Sequence, residues 1–506
     1  MFSKSQYVKY KNCHKWLWLY KNTPNLMTTT NEQKRHLDVG KQIGELARKK
    51  FANGVLVKES PIEIAKTVET TKKLLETENT IFEASFLFKE IFYNDEGKFV
   101  NAPYDCFARV DILNKTPDGW DLIEVKSSTE VKDEYLSDVS MQTYVLTGCK
   151  LKLNKVYIMH VNGDYVKQGS EIDLDNFFTL VDVTKEVEDY ILVQRTLLEM
   201  DYQIKQPEPD VTISKTMCCD CEFHSYCWKD IPSISVYNLP RIKSDKINLI
   251  TKDGYLDIKD IPADYLTSEI HLKWLEVYKS GRPYIDRQAI ADLLSELKYP
   301  LYFLDFETTQ QAIPIWENSS PYQQIPFQAS LHILESENAE LKHFEYLFEN
   351  EKDPRGEMIN FLLKYIGDTG TIIAHNIGFE KGVIKNLSDL DISNADKLKL
   401  QSMLERFWDT MTPFQKYYLH PDFNCSASLK KVLPVMVPSM TYDGMDVANG
   451  GDAMETFDIL YNKTLPPDEL SKKRTSLLEY CKQDTLAMVY LVKELQKISQ
   501  NKSLQG

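Results

Sequence analysis

The chain is 506 residues long, with 42% apolar and 27% charged residues, more than one hydrophobic core organises and near the prior for three domains. This balance excludes disordered and fibrous classes. No run approaches the roughly 18 apolar residues of a membrane span, and the opening MFSKSQYVKYKNCHKW lacks a signal-peptide core, so a cytoplasmic protein without a membrane partner is expected. The net charge of −15 argues against coating nucleic acid by bulk attraction, but permits an enzyme with a local basic groove.

Residues 1–235 carry mixed helix and strand signals. Glu63–Glu76 (EIAKTVETTKKLLE) predicts an amphipathic helix. Phe107–Leu113 and Trp120–Val125 predict two strands joined by the turn NKTPDG. Side chains alternate along a strand, so Glu124 and Lys126 share a face, and the hairpin brings Asp111 opposite them. Two carboxylates and an ammonium group suit phosphodiester chemistry. The acids hold Mg²⁺ or Mn²⁺, and Lys126 steadies charge developing on the phosphate. Nine cysteines are present, four of them in CCDCEFHSYC, and a reducing compartment favours metal over disulfide there. Cys218, Cys221 and Cys227 form a Cys-x₂-Cys-x₅-Cys run, with Cys13 far upstream. Four thiolates match a [4Fe–4S] cluster, with Cys₄ zinc as the competing occupant and Cys219 as an alternative to Cys218.

Residues 236–297 read as a helical connector. Two short helical patterns around Asp253-Gly254 resemble one helix-hairpin-helix unit, against which stands a plain connector. Residues 298–506 open on the strand YPLYFLDFE and continue through TIIAH, FEKGVIKNL and LLEYCKQDTLAMVYLVKEL, an α/β pattern. Asp305 and Glu307 share a strand face, where their repulsion calls for a cation. Asn376 and Glu380 follow in IIAHNIGFEKGVI, and Tyr480 and Asp484 lie at i and i+4 on one helix face. Asp409 is a reserve acid. The aromatic and amide-rich stretch IPIWENSSPYQQIPFQASLHIL suits either nucleotide stacking or a packed loop and strand.

These motifs carry two resemblances. Asp111 with Glu124-Val-Lys126 resembles the PD-(D/E)XK nucleases of the RecB type. MQTYVLTG resembles that branch's Gln/Tyr motif, which implies supporting roles for Gln142 and Tyr144. Many relatives place a His where Gly44 falls here, and Glu83 is the substitute metal ligand. The distant-plus-clustered cysteines resemble the iron–sulfur nucleases of the AddB helicase–nuclease and of CRISPR adaptation, in which the cluster would act as a structural staple. In the C-terminal part, Asp-x-Glu, His-Asn-x-x-Phe-acid and Tyr-x-x-x-Asp resemble the tyrosine subtype of the DEDD exonucleases, of ribonuclease-H-like fold. That resemblance implies Asp305, Glu307, Glu380 and Asp484 around two divalent ions about 4 Å apart, with Tyr480 orienting water. Glu380 departs from the pattern, which ordinarily has Asp.

Taken together, the chain resembles a bacterial family of uncertain function that fuses the two. The implied fold is α/β: an iron–sulfur PD-(D/E)XK restriction-endonuclease-like domain, a helical connector, and a ribonuclease-H-like 3′–5′ exonuclease domain. The implied function is a two-site, metal-dependent nuclease that trims or degrades DNA, chiefly single-stranded ends, in DNA repair or phage defence. RNA is the alternative substrate. A third reading is a DNA-end-binding protein whose N-terminal site has lapsed. No Gly-x₄-Gly-Lys-Ser/Thr loop is present, so any helicase activity belongs to a separate partner.

Overall fold

The structure, a computed structural model, describes residues 1–500 apart from 61, 94–98, 215–217, 219 and 350, with backbone alone at 90–93 and 99–103. It is mixed α/β and divides into two compact units. The first comprises Met1–Asp230 with Gln311–Tyr322, and the second Ile231–Gln310 with Gln323–Gly506. The 236–297 segment is therefore part of the second unit, while Gln311–Tyr322 belongs to the first. Among the described residues no helix is long and apolar enough to cross a membrane.

In the first unit the strands are β1 (Phe2–Ser3), β2 (Val55–Leu56), β3 (Thr80–Tyr93), β4 (Phe99–Thr116), β5 (Gly119–Lys126), β6 (Leu153–Val161) and β7 (Phe178–Asp182). They form one sheet in the order β2-β3-β4-β5-β6-β7, with β1 alongside β4. β3, β4 and β5 run antiparallel. The helix Asp133–Gly148 then crosses over, so that β6 returns parallel to β5. The helix predicted at Glu63–Glu76 is Ile64–Thr77.

The sheet is covered on both faces, and its pleat changes phase near the candidate acids. On β3, Ile81 and Ala84 join one core cluster while Phe82 joins the other. On β4, Leu113 and Val110 lie with the first cluster and Ile112 with the second. Strict alternation would put Phe82 with Ala84, and Val110 with Ile112. The slip falls at Glu83, which has φ of +60°, and at Asp111 between the pairs Phe82–Ile112 and Ala84–Val110. A glutamate in left-handed conformation inside a strand costs about 1 kcal/mol or more, and such strain concentrates at functional sites.

The Gln311–Tyr322 loop is packed. Ala312, Ile313 and Tyr322 join the second core cluster, Trp316 is buried, and main-chain bonds tie Asn318 and Ser319 to Lys167. The strand after it is buried throughout. The packed reading of this aromatic stretch describes it.

In the second unit, β8 (Tyr284–Ile285) pairs with β14 (Tyr418–Leu419). The main sheet contains β9 (Leu301–Thr309), β10 (Ile325–Leu334), β11 (Lys342–Leu347), β12 (Thr371–Ala374) and β13 (Phe407–Asp409). Its order is β11-β10-β9-β12-β13. β10 is antiparallel to both β11 and β9, and β12 and β13 continue parallel to β9. Tyr302, Leu304 and Phe306 of β9 enter the core with Ala329, Leu331 and Ile333 of β10. The alternate residues face the 34-residue helix Pro467–Gln500: Gln328 Nε2 donates to the Leu477 carbonyl at 2.7 Å, and Ser330 and His332 both bond Thr485. Period two therefore puts Asp305 and Glu307 on the helix side.

Candidate active sites

In the first unit, β4 and β5 bring Asp111 beside Glu124 and Lys126. Asp111 Oδ2 accepts the Val125 N–H at 2.8 Å. Lys126 Nζ donates to Glu124 Oε1 at 2.8 Å and to Asp138 Oδ2 at 2.6 Å. The helix Asp133–Gly148 presents Asp138 and Gln142, one turn apart, to the same spot. Gln142 Nε2 donates to Glu124 at 2.8 Å and to Asp138 at 2.9 Å, while its Oε1 is buried without a partner. Lys4 completes the group, its Nζ 2.7 and 2.8 Å from the two Glu124 oxygens.

Burial, followed by the charges of Asp111 and Asp138, pushes the Glu124 carboxyl up to about 7. Asp111 is raised too, burial outweighing Lys4 and Lys126. Burial also opposes charge on Asp138, but Lys4 and Lys126 prevail and hold it well below the usual carboxylate range.

Glu83 lies close enough to raise Asp111, and it pairs with Arg109 at 2.7 Å and Arg48 at 3.5 Å. Tyr144 is placed elsewhere. Two positions beyond Gln142 on a helix is another face, and its ring packs against Phe88 and Tyr190 in the core. Sequence reasoning missed Lys4 and Asp138. The i,i+4 spacing of Asp138 and Gln142 was a readable signal, whereas Lys4 had none.

Cys13, Cys218, Cys221 and Cys227 are all partly buried. Burial, then among other charges Cys13 and Cys218, raise the Cys227 thiol, and burial, with Cys218 a lesser contributor, pushes Cys221 up to about 11. Cys218 thus lies near both Cys221 and Cys227, and Cys13 lies near Cys227. The Phe223 N–H points at Cys221 Sγ, 3.4 Å away. Cys219 lies outside the described residues.

In the second unit, Asp305, Glu307 and Asp484 each offer an oxygen within 4.8 Å of the others. Glu380, in the first turn of the helix Gly378–Ser388, is buried, and its Oε2 has no partner. Among the described residues no lysine or arginine forms an ion pair with any of the four. Burial pushes Asp305 and Glu307 well above the carboxylate range, with Asp484 adding to both and Asp305 adding to Glu307. Burial and then Asp305 push Glu380 up to about 9. Burial also lifts Asp484, to about 6, against hydrogen bonds from Tyr442 and Tyr480 and the charge of Lys430.

Tyr480 is buried beside Asp484. Asn376, at φ +71°, turns its N–H to Asp409 Oδ1 at 2.9 Å, and Met411 N–H donates to the same oxygen. Asp409 thus organises this turn, near enough to Glu380 to raise it. Tyr442 donates to Asp484, Cys481 Sγ donates to Asp305 Oδ2 at 3.2 Å, and Lys430 lies over the rings of Tyr442 and Tyr480. These three were missed. Cys481 adjoins Tyr480 in sequence, but Lys430 and Tyr442 are assembled only by tertiary folding.

Residues 302–428 match a family model described as "Domain of unknown function (DUF2779)", a span holding Asp305, Glu307 and Glu380 but not Tyr480 or Asp484. The chain is similar to "Uncharacterized protein MG366" of Mycoplasma genitalium, 24% identical over 280 residues, covering 52% of this chain and 42% of that protein. It is similar also to "Uncharacterized protein UU173" of Ureaplasma parvum, 24% identical over 276 residues, covering 50% and 40%. The chain thus spans about two fifths of the length of these curated relatives. Among solved structures, "Crystal structure of SSO0001" is similar at 18% identity over 42% of this chain and 95% of that one, with a TM-score of 0.20.

Proposed function

We propose that the protein is a metal-dependent nuclease with two active sites that trims or degrades DNA ends. The observation that carries this reading is the buried acid cluster of the second unit. Asp305, Glu307 and Asp484 converge within 4.8 Å, Glu380 keeps an unpartnered buried oxygen beside them, and among the described residues no basic side chain forms an ion pair with them, Lys430 offsetting only part of the charge on Glu307 and Asp484. Four carboxylates out of water and without an ion-paired base are tolerable only when protonated or when bound to cations. All-oxygen donors suit Mg²⁺ or Mn²⁺. When bound, such ions supply a low-pKa water and charge neutralisation at a phosphate.

The chain's own groups fit that chemistry. Tyr480, fixed on the helix face of Asp484, is placed to hold a water. Lys430 supplies positive charge at the rim for a phosphate backbone. The β11-β10-β9-β12-β13 order, with three antiparallel strands followed by two parallel ones, supports the ribonuclease-H-like reading. In the first unit, the hairpin, crossover helix and parallel strand around Asp111, Glu124, Lys126 and Gln142 support the PD-(D/E)XK reading. Cys13, Cys218, Cys221 and Cys227 would supply the four thiolates of a [4Fe–4S] cluster, a reading supported by the proximity of Cys218 to Cys221 and Cys227 and of Cys13 to Cys227.

The test is digestion of end-labelled single-stranded and double-stranded DNA, and of matched RNA, by the full chain with Mg²⁺ or Mn²⁺. Lys126→Ala and Asp305→Ala are each expected to remove part of the activity, and together all of it. Undiminished hydrolysis by the double variant would refute both assignments, and preference for RNA would move the substrate to that polymer.

A further inference from the structure

Lys4 has no counterpart in the motif that singles out Asp111, Glu124 and Lys126. It occupies the first position of the helix Lys4–Asn12, where a positive charge opposes the helix dipole. It is held there because β1 pairs with β4 through Phe2–Cys106 and Ser3–Phe107, so that the helix starts beside the acids. Its ammonium reaches both Glu124 oxygens, at 2.7 and 2.8 Å, and lies 3.7 Å from Asp138 Oδ1. Lys126 takes Glu124 Oε1 and Asp138 Oδ2 from the other side. Three acids thus face two ammonium groups, whereas the acids of the second unit face no ion-paired base. Within the same pocket Gln142, fully buried, leaves Oε1 without a partner, an acceptor in search of a cation or a water.

We propose that Lys4 is an internal counter-ion that latches the first site, occupying Glu124 in place of a divalent cation and withdrawing when one binds. The inference rests on the reading of the first unit as a metal-dependent site. A cation entering there must displace an ammonium group, which nothing requires at the second site. The first site therefore fills at higher cation concentration, and occupancy and Lys4 release are two sides of one linkage.

The test measures Mn²⁺ binding to the full chain by the resonance of free Mn²⁺, in an Asp305→Asn/Asp484→Asn background that silences the second site. Lys4→Met is expected to tighten binding roughly tenfold, and adding Glu124→Gln is expected to abolish that gain. If Lys4→Met binds like its parent while Glu124→Gln weakens both, the latch is refuted and the metal-site reading stands. If Glu124→Gln changes nothing in either, the metal-site reading falls and takes the latch with it. An arm free of variants at the first site follows acylation of Lys4 by mass spectrometry. Its labelling is expected to rise severalfold on adding Mn²⁺, and constant labelling at saturating Mn²⁺ overturns the proposal.

Discussion

Glu380→Gln is expected to stabilise the metal-free protein, increasingly so as pH rises. Glu380 is 3% exposed, has one oxygen without a partner, and is pushed from 4.5 to about 9 by burial and by Asp305. The folded state therefore keeps a proton that the unfolded chain releases near 4.5. The stability from this group is full below that pH and is lost progressively as pH climbs towards 9. Each pH unit in that window costs about 1.4 kcal/mol, so the penalty at pH 7 is roughly 3 kcal/mol. Glutamine fills the same volume and carries no such penalty. At about 2–4 °C per kcal/mol for a unit of this size, the variant should melt roughly 6–12 °C higher at pH 7 in EDTA. Thermal unfolding in EDTA at pH 5, 7 and 8.5 reads this directly, with the two proteins nearly coincident at pH 5 and diverging upward. Saturating Mn²⁺ should narrow the gap, because a cation neutralises the native glutamate. A variant no more stable than wild type at pH 8.5, or an offset equal at all three pH values, would mean that folded Glu380 does not hold the extra proton.

Tyr480→Phe keeps the buried ring but loses the hydroxyl beside Asp484; kcat on single-stranded DNA should fall about a hundredfold with Mn²⁺ affinity unchanged, and a selective loss of Mn²⁺ binding would instead make Tyr480 structural. Protein purified without oxygen should be brown and carry roughly four irons per chain. Cys227→Ser should lose both colour and iron, and colourless protein with stoichiometric zinc would replace the cluster by a zinc site.

Much of this arrangement was legible where function depends on a short-range period. Glu124 and Lys126, two apart on a strand, share a face and bond at 2.8 Å. Tyr480 and Asp484, four apart on a helix, meet at the acid cluster for the same reason. The turn NKTPDG joined its strands where Pro and Gly said it would, between Thr116 and Gly119. Tyr144 shows the converse, since a spacing of two on a helix turned it away from Gln142 and into the core. Contacts that span the chain left no local trace. Lys4 meets Glu124 across 120 residues, and Tyr442 meets Asp484 across 42. The pleat slip at Glu83 was equally hidden, because positive φ on a glutamate goes against its propensity and is imposed by the surrounding sheet. The division of the chain also escaped composition: Gln311–Tyr322 lies within the C-terminal sequence yet joins the first unit through apolar side chains that any buried loop carries.

Nuclease chemistry in the second unit requires its acids to form a cation site. Its most direct measurement is anomalous diffraction from crystals of the full chain soaked in Mn²⁺. A peak bonded to Asp305, Glu307 and Asp484 is expected, with Glu380 turning its unpartnered oxygen towards the metal. Saturated crystals with no peak among those four carboxylates would contradict it.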